Sequence, residues 1–289
     1  MPEESLPRVN EYRRFARVMM SRGVVLFGIV IIFACVASAI LAPYIAPYDP
    51  YAQLLDDVLQ QPNTAHLLGT DSLGRDTLSR IIYGARIALL VGLGTVIIAA
   101  ALGSVIGLIA GYFGGWLFTV IMRATDGIMA IPPILLALVV AALLGTGVRG
   151  VMIAISFALF PQYIRLICGQ VLSVKENEYV MAAHSVGVSH IGIMFRHILP
   201  NCISPLIVQM TMMMGFAVLT EASLSFLGLG IKPPSAAWGS MVYDGYKYMI
   251  MRPILTFAPG AAIMLVVFAF NMVGDGLRDA LDPRLRGTI

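Results

Sequence analysis

The stretch Tyr179–Pro200, YVMAAHSVGVSHIGIMFRHILP, lies between long apolar segments and differs from all of them. Four of its residues recur at the i, i+3, i+4 and i+7 spacing that places side chains on one face of a helix: Tyr179, Ala182, Ala183 and Val186. Gly187 is suited to end this helix, because glycine readily adopts the left-handed conformation found at many helix ends. The spacing therefore predicts a short helix that stops at Gly187.

A second short helix is predicted directly after the first. Ser189 has the side chain of a helix N-cap, and Pro200 interrupts the pattern before the next apolar run. Ala182 and Ala183 together would present a small, flat surface that another protein can approach closely. We call residues 173–200 the platform and predict that its two short helices lie between membrane spans.

The composition is that of a membrane protein. Of the 289 residues, 58% are hydrophobic and 12% are charged, and the mean hydropathy is +0.86. In soluble domains about a quarter of the residues are charged. A soluble fold of this length cannot bury so much apolar surface, so the chain is predicted to be all-α and polytopic. A formal net charge of only +3, without a lysine-rich run, argues against nucleic-acid binding.

The N-terminal segment, residues 1–22, is basic, and the segment after it is apolar. Residues 23–43 are predicted to form the first transmembrane helix, because a charge-free run begins there and a span needs about 20 apolar residues. A signal peptide is the alternative, but its apolar core would be only about 7–15 residues long. Five arginines before the span would hold the N-terminus in the cytoplasm: Arg8, Arg13, Arg14, Arg17 and Arg22.

Residues 44–86 are predicted to form an extracytoplasmic loop, because they hold several prolines and aspartates and are too polar to lie in lipid. Near the end of this loop a helix start at Thr70 or Asp71 precedes apolar residues at helical spacing, which is typical of an amphipathic helix on a membrane surface. These apolar residues are Leu78, Ile81 and Ile82. A docking role for this helix and a role as a simple connector both remain open.

Residues 87–275 are predicted to form the main transmembrane domain. Small residues recur there at every fourth position, a spacing that lets another helix backbone approach closely: Ala99, Gly103, Gly107 and Gly111. Packing within the chain's own bundle is favoured over self-dimerisation. Arg123 and Asp126 are spaced to form an ion pair. Pro132 and Pro133 are expected to kink the third span.

The remaining spans are predicted at residues 151–172, 201–219 and 253–273, followed by a cytoplasmic tail at 276–289. With six spans and the N-terminus inside, the platform and the C-terminus are also inside. This orientation places 12 of the 19 basic residues on the inner side, as the positive-inside rule requires. The platform is therefore predicted to be cytoplasmic.

The sequence lacks motifs for common catalytic chemistry. None of its lysines follows a glycine, so it has no GxxxxGK[ST] loop with which to bind the phosphates of ATP. His184, His190 and His197 lie six and seven residues apart, which does not suit a compact metal site. The three cysteines are scattered and suggest no disulfide framework. No metal site is predicted, and a membrane enzyme is disfavoured.

The platform resembles the coupling-loop signature of ABC importer permeases, in which two small residues are followed by a glycine and later by a Leu-Pro pair. The matching residues are Ala182, Ala183, Gly187, Leu199 and Pro200. Met181 replaces the usual glutamate and His197 the usual isoleucine, as in the peptide subgroup, where YVxAA…G…RHxLPN is the common form. Three other stretches resemble that subgroup: HLLGTDSLGRDTLSR, ASLSFLGLG with Glu221, and GDGLRDALDPRLR.

Nearly the whole chain thus resembles the second permease subunit of dipeptide, oligopeptide or nickel importers. The resemblance implies a type I importer fold with six transmembrane helices and a cytoplasmic coupling helix, in a bacterial inner membrane. It also implies a related second permease, two cytoplasmic ATPases that use ATP and Mg, and an extracytoplasmic substrate-binding protein. The permease itself would bind no cofactor. Its contact with the ATPase would involve Tyr179, Ala182, Ala183, Gly187, His197, Leu199 and Pro200.

The sequence indicates the substrate path less clearly. Gln209 and Met213 lie in a methionine-rich fifth span and Glu221 near its outer end. These three residues are candidates for the path or a gate, with ordinary packing as the alternative. Nickel or glutathione import by the same architecture is an alternative function. An ion-coupled secondary transporter is less favoured, because its ionisable residues would lie nearer the span centres.

Overall fold

A computed structural model describes Ala16 and residues 19–281 of the chain. Most of the predicted N-terminal segment and the end of the predicted tail lie outside the described residues. The basic residues assigned to the inner side in those parts are Arg8, Arg13, Arg14, Arg17, Arg284 and Arg286. Arg22 is described, and its Nη1 lies 2.5 Å from Asp279 Oδ2. This ion pair joins the start of the first span to the last helix.

The described residues form an all-α fold, as predicted. Between residues 19 and 281 there is no β-strand, and one isolated bridge pairs Thr70 with Asp76. The helices are α1 (Gly23–Ile45), α2 (Thr77–Phe113), α3 (Gly115–Met129), α4 (Pro133–Leu144), α5 (Val148–Val174), α6 (Glu178–Ser185), α7 (His190–Phe226), α8 (Trp238–Tyr246) and α9 (Ile254–Leu281). A short 3₁₀ turn occupies Leu55–Asp57.

Five of these helices, α1, α2, α5, α7 and α9, are long and apolar enough to cross a membrane. Helices α3 and α4 pass the same test only together and are bent by 89° at the break between them. Pro132 at this break has an extended ψ of 130°, because a following proline disfavours helical backbone at the residue before it. Counting the bent pair as one span gives the six predicted spans.

Helix α2 begins before the predicted span and includes part of the predicted outer loop. The Asp76 carboxylate accepts a hydrogen bond from the Ser79 N–H at 2.8 Å and caps the helix at Thr77. From there the helix runs to Phe113 without a break. The prediction of a separate amphipathic helix is therefore wrong, because the helical periodicity that suggested it continues directly into the span.

The loop before α2 and the loop between α7 and α8 form a packed polar layer over the N-terminal end of α2. Arg80 is only 2% exposed. Its guanidinium donates to three carbonyl oxygens at 2.9–3.5 Å, those of Pro50, Pro234 and Ser235. The Trp238 indole N–H donates to the Ile81 carbonyl at 2.9 Å. These bonds fasten both loops to the first turns of α2.

The strip of small residues in α2 packs against α5. A β-carbon added to a glycine of this strip would collide with α5, since the nearest atoms would lie 2.5 Å away at Gly103, 2.6 Å at Gly107 and 2.8 Å at Gly111. Ala99, one turn before them, is fully buried. Because the three glycines face the chain's own α5, they are not available for self-dimerisation.

Replacing Gly107 with valine is expected to lower the unfolding temperature of the purified chain in detergent. The added Cβ would lie 2.6 Å from the backbone carbonyl oxygen of Ile164, and no rotamer relieves a clash with backbone. Overpacking of this kind costs about 1–3 kcal/mol. Gly260→Val in α9 is the matched control, because no heavy atom lies within 4 Å of its added Cβ. Equal losses in the two variants would contradict the close packing of α2 with α5.

Candidate functional site

The platform begins with α6, which ends in a turn that requires a glycine. The Gly187 N–H donates to the His184 carbonyl at 3.1 Å. The Val188 N–H donates to the Ala183 carbonyl, also at 3.1 Å. These two bonds form a Schellman motif, in which the residue after the helix has a positive φ. Gly187 has a φ of +80°, and no atom lies within 4 Å of an added Cβ, so glycine is required by conformation and not by crowding.

The two faces of α6 have different surroundings. Val180 and Ala183 are buried, at 5% and 7% exposure. Tyr179, Ala182 and Val186 are exposed. The expected surface of two adjacent alanines is therefore not present, since Ala183 points into the protein. Consecutive helical residues are about 100° apart, which separates Ala182 from Ala183.

A small apolar core holds the platform together and joins it to the spans. The inward residues of α6 pack with residues from α2, α5 and α7. The buried members of this core include Leu108, Ile167, Val171, Val180, Ala183, Ile193 and Ile198. Leu199 is half-buried against the same cluster. The platform is thus packed against three spans, while one face of α6 remains open.

The second platform helix is the beginning of a span and is not a separate short helix. The Ser189 hydroxyl caps it by accepting from the Gly192 N–H at 3.2 Å, as predicted. The helix continues through the π-helical stretch Ile193–Ile198 and onward to Phe226. The prediction that Pro200 interrupts it is wrong. Regular α-helical bonding begins again at Leu199, so Pro200 occupies a first turn, where its missing N–H is tolerated.

Polar contacts also tie the platform to the C-terminal end of α2. The Tyr112 hydroxyl lies 2.7 Å from His190 Nδ1. The Lys175 ammonium donates to the carbonyl of Gly111 at 3.3 Å, which is favourable because the C-terminal end of a helix carries partial negative charge. The His184 and His190 rings lie 5.9 Å apart. No cluster that suits a metal ion occurs among the described residues.

The remaining predicted coupling residue, His197, lies at the junction of the platform and α7. Its side chain is half-buried. Its carbonyl oxygen accepts a hydrogen bond from the Asn201 side-chain amide at 2.8 Å and lies 3.5 Å from the Tyr179 hydroxyl. These contacts connect α6 to the start of the α-helical part of α7.

The structure separates the three residues predicted for the substrate path. Glu221 is 2% exposed and accepts from the Ser225 hydroxyl at 2.6 Å, so its side chain is enclosed within this chain. Met213 packs against the apolar core formed by α2, α4, α5 and α7. Gln209 lies in an open groove between α5, α7 and α9. The burial of Glu221 depends on helices distant in sequence, and the roles of the three residues in a path or gate stay predictions.

Asp126 does not form the ion pair that its spacing predicts. Its carboxylate pairs with Arg165 of α5 and not with Arg123 in its own helix. The side chains of Asp126 and Arg165 are about half exposed. The pair joins α3 to α5, a contact that local spacing along one helix cannot indicate.

Two stretches of the chain match families of known proteins. Residues 103–287 match the family described as binding-protein-dependent transport system inner membrane component. Residues 12–62 match the N-terminal TM domain of oligopeptide transport permease C. The first match covers more than half of the chain. The chain belongs to the binding-protein-dependent permease family.

Relatives of this permease extend over almost its whole length. It is 42% identical to the glutathione transport system permease protein GsiD of Pectobacterium atrosepticum, over 95% of this chain and 90% of the relative. It is 40% identical to the dipeptide transport system permease protein DppC of Alkalihalophilus pseudofirmus, over 99% of this chain and 94% of the relative. It is 44% identical to the dipeptide transport system permease protein DppC of Haemophilus influenzae, over 90% of this chain and 90% of the relative.

The family establishes the general role of this protein. It is a multi-pass inner-membrane permease of an ABC importer and is a transport subunit, not an enzyme. Its helical architecture is that of a type I importer permease. A permease of this kind works with other transport subunits and a binding protein.

Introducing aspartate at Ala183 is expected to loosen the platform, whereas aspartate at Ala182 is expected to leave it folded. At the buried position the carboxylate would have no partner, and the cost would be about 2–4 kcal/mol. Hydrogen exchange of the backbone amides in α6 measures the local stability. Ala182→Asp is the matched control on the exposed face. Equal protection of α6 in the two variants would contradict the assigned faces.

Proposed function

We propose that this permease is the second transmembrane subunit of a peptide importer and that the exposed face of α6 receives the motion of an ATPase. The observation that carries the proposal is the construction of the platform. One face of α6 packs against three spans, and on the opposite face Tyr179, Ala182 and Val186 are exposed on the protein surface. A helix held in this way can transmit a push from a partner to the spans without deforming.

The proposed partners follow from what the chain contains. The sequence has no phosphate-binding loop, so the energy of ATP has to come from separate subunits. The proposed assembly consists of this permease, a related second permease, two ATPases that use ATP and Mg, and an extracytoplasmic binding protein. We place the N- and C-termini and the platform in the cytoplasm, on the side of the ATPases.

Short peptides are the proposed cargo. The named relatives transport dipeptides or glutathione, and glutathione is itself a small peptide derivative. An importer of the same family for nickel is the alternative. Since the cargo is not changed chemically, the permease needs a path and a coupling element and no catalytic group.

The proposed coupling mechanism assigns separate roles to the platform residues. Ala182 allows close approach of an ATPase surface because its side chain is small, with Tyr179 and Val186 beside it. Ala183, Leu199 and His197 hold α6 on α7. Gly187 sets the angle between the two helices through its positive φ. Movement of α6 would then shift α7 directly, favouring one of two arrangements of the spans.

Uptake of a labelled dipeptide into proteoliposomes tests the proposed cargo and energy source. Uptake is expected only when both permeases, the ATPases, the binding protein and ATP are present, because the binding protein delivers the cargo and ATP drives the movement. Labelled Ni²⁺ is measured in parallel. Uptake of Ni²⁺ without peptide uptake, or peptide uptake without nucleotide, would contradict the proposal.

Ala182→Arg tests the coupling face. A long charged side chain at the centre of the proposed contact is expected to weaken ATPase association about thirtyfold, equivalent to losing about 2 kcal/mol of binding. Co-purification of the ATPases from membranes measures the association. Ala52→Arg in the exposed outer loop is the control, because it makes the same change at an exposed alanine on the opposite side. Unchanged association of Ala182→Arg would refute the role of this face.

A further inference from the structure

A polar groove opens along the inner half of α7, beside the platform. The groove has a volume of about 700 Å³, within the range of about 300–1,000 Å³ found for small-molecule sites. Helix α7 forms its floor, and α5 and α9 form its walls. Five polar side chains line it: Gln170, Asn201, Ser204, Gln209 and Arg278. They come from three helices and reach one open space.

These side chains have unused hydrogen-bonding groups. Within residues 19–281, the side chains of Gln170, Ser204 and Gln209 make no hydrogen bond, and Arg278 makes no ion pair. Asn201 uses its amide nitrogen on the His197 carbonyl, which leaves its side-chain oxygen open. Arg278 differs in this respect from its neighbour Asp279, which is paired with Arg22.

Pro205, which also lines the groove, leaves a main-chain carbonyl one turn earlier without its helical donor. Because proline has no N–H, it cannot donate to the residue four positions earlier. That residue is Asn201, so its carbonyl lacks the usual α-helical donor. The groove therefore offers amide donors, amide and carbonyl acceptors, a hydroxyl and one cation. Among the described residues that line it there is no carboxylate.

Such a surface is unfavourable against lipid. Polar and charged side chains within transmembrane helices are costly in hydrocarbon and normally face a water-filled cavity or a polar partner. Here the unpartnered groups of α7, at positions 201, 204 and 209, all line the groove, beside the apolar residues Val208 and Met212 of the same helix. This arrangement indicates a groove that holds water or a polar ligand.

We propose that the groove is the inner part of the substrate path and binds an extended peptide, with Arg278 contacting its terminal carboxylate. The inference rests on the proposed peptide import. Side-chain amides donate and accept in the same way as a peptide backbone, so Gln170, Asn201 and Gln209 would bind peptides without regard to their side chains. Arg278 is the one cation among the described lining residues, which hold no carboxylate, and this favours the C-terminal end of the peptide at Arg278.

The first experiment measures ATP-driven uptake by the complete transporter in proteoliposomes. The substrates are a labelled dipeptide with a free carboxylate and its C-terminal amide. Uptake by each variant is divided by wild-type uptake of the same peptide, so that the preference of the binding protein cancels. Arg278→Gln is expected to lower this ratio about tenfold for the free acid and to leave the amide nearly unchanged. Arg278→Lys should restore most of the loss.

Gln209→Leu tests the contribution of the amides. It removes two hydrogen-bonding groups at nearly constant size and is expected to reduce uptake of both peptides several-fold. Thr211→Val on the same helix is the control, because the Thr211 hydroxyl is already satisfied by the Ile207 carbonyl at 3.0 Å. Equal effects of Arg278→Gln on the acid and the amide, or no effect of Gln209→Leu, would overturn the proposal.

The second experiment asks whether water fills the groove in the assembled transporter. Ser204→Cys is expected to react with a membrane-impermeant maleimide without nucleotide and to react more slowly with ATP and vanadate. This permease itself adds little background, because Cys35, Cys168 and Cys202 are buried. An unreactive Ser204→Cys that cross-links to the second permease would show an interface in place of a path and would overturn the proposal. If the wild-type transporter takes up no peptide, that result would contradict the proposed function and therefore also the assignment of the groove.

Discussion

The close contact between α2 and α5 is the constraint on which the rest of the structure depends. Gly103, Gly107 and Gly111 bring the two backbones together, and any larger side chain would force them apart. Helix α5 leads directly into the platform. The C-terminal end of α2 holds the platform through Gly111 and Tyr112. The position of α6 relative to the spans is therefore set by glycine packing well inside the bundle.

Helix α7 connects the proposed coupling surface to the proposed path. It begins in the platform at His190, passes through a π-helical stretch and then forms the floor of the polar groove. Short π-helical segments occur frequently at functional sites. Here the segment lies between the platform and the groove, so a movement of α6 reaches the groove residues through one continuous helix.

The two ends of the helix bundle are built differently. Buried polar bonds from Arg80 and Trp238 fasten the loop before α2 and the segment after α7 to α2, and Glu221 is enclosed near the C-terminal end of α7. At the platform end, Ala182 and Val186 of α6 are exposed, and Gln170, Ser204 and Gln209 of the groove have no hydrogen-bond partner among the described residues. Under the proposed function, this open end is the one that meets the ATPases.

Elements whose signals are local could be predicted from the sequence alone. Apolar length predicted the spans, Gly187 and Ser189 predicted the end and start of the platform helices, and the four-residue spacing of glycines predicted a close helix contact. Which side chains meet depends on the tertiary structure. It turned Ala183 inward, buried Glu221, paired Asp126 with Arg165, and carried α7 through Pro200. It also gathered Gln170, Gln209 and Arg278 into one groove. These outcomes depend on contacts between helices far apart in sequence, and no local pattern specifies them because each helix has several faces that packing can bury.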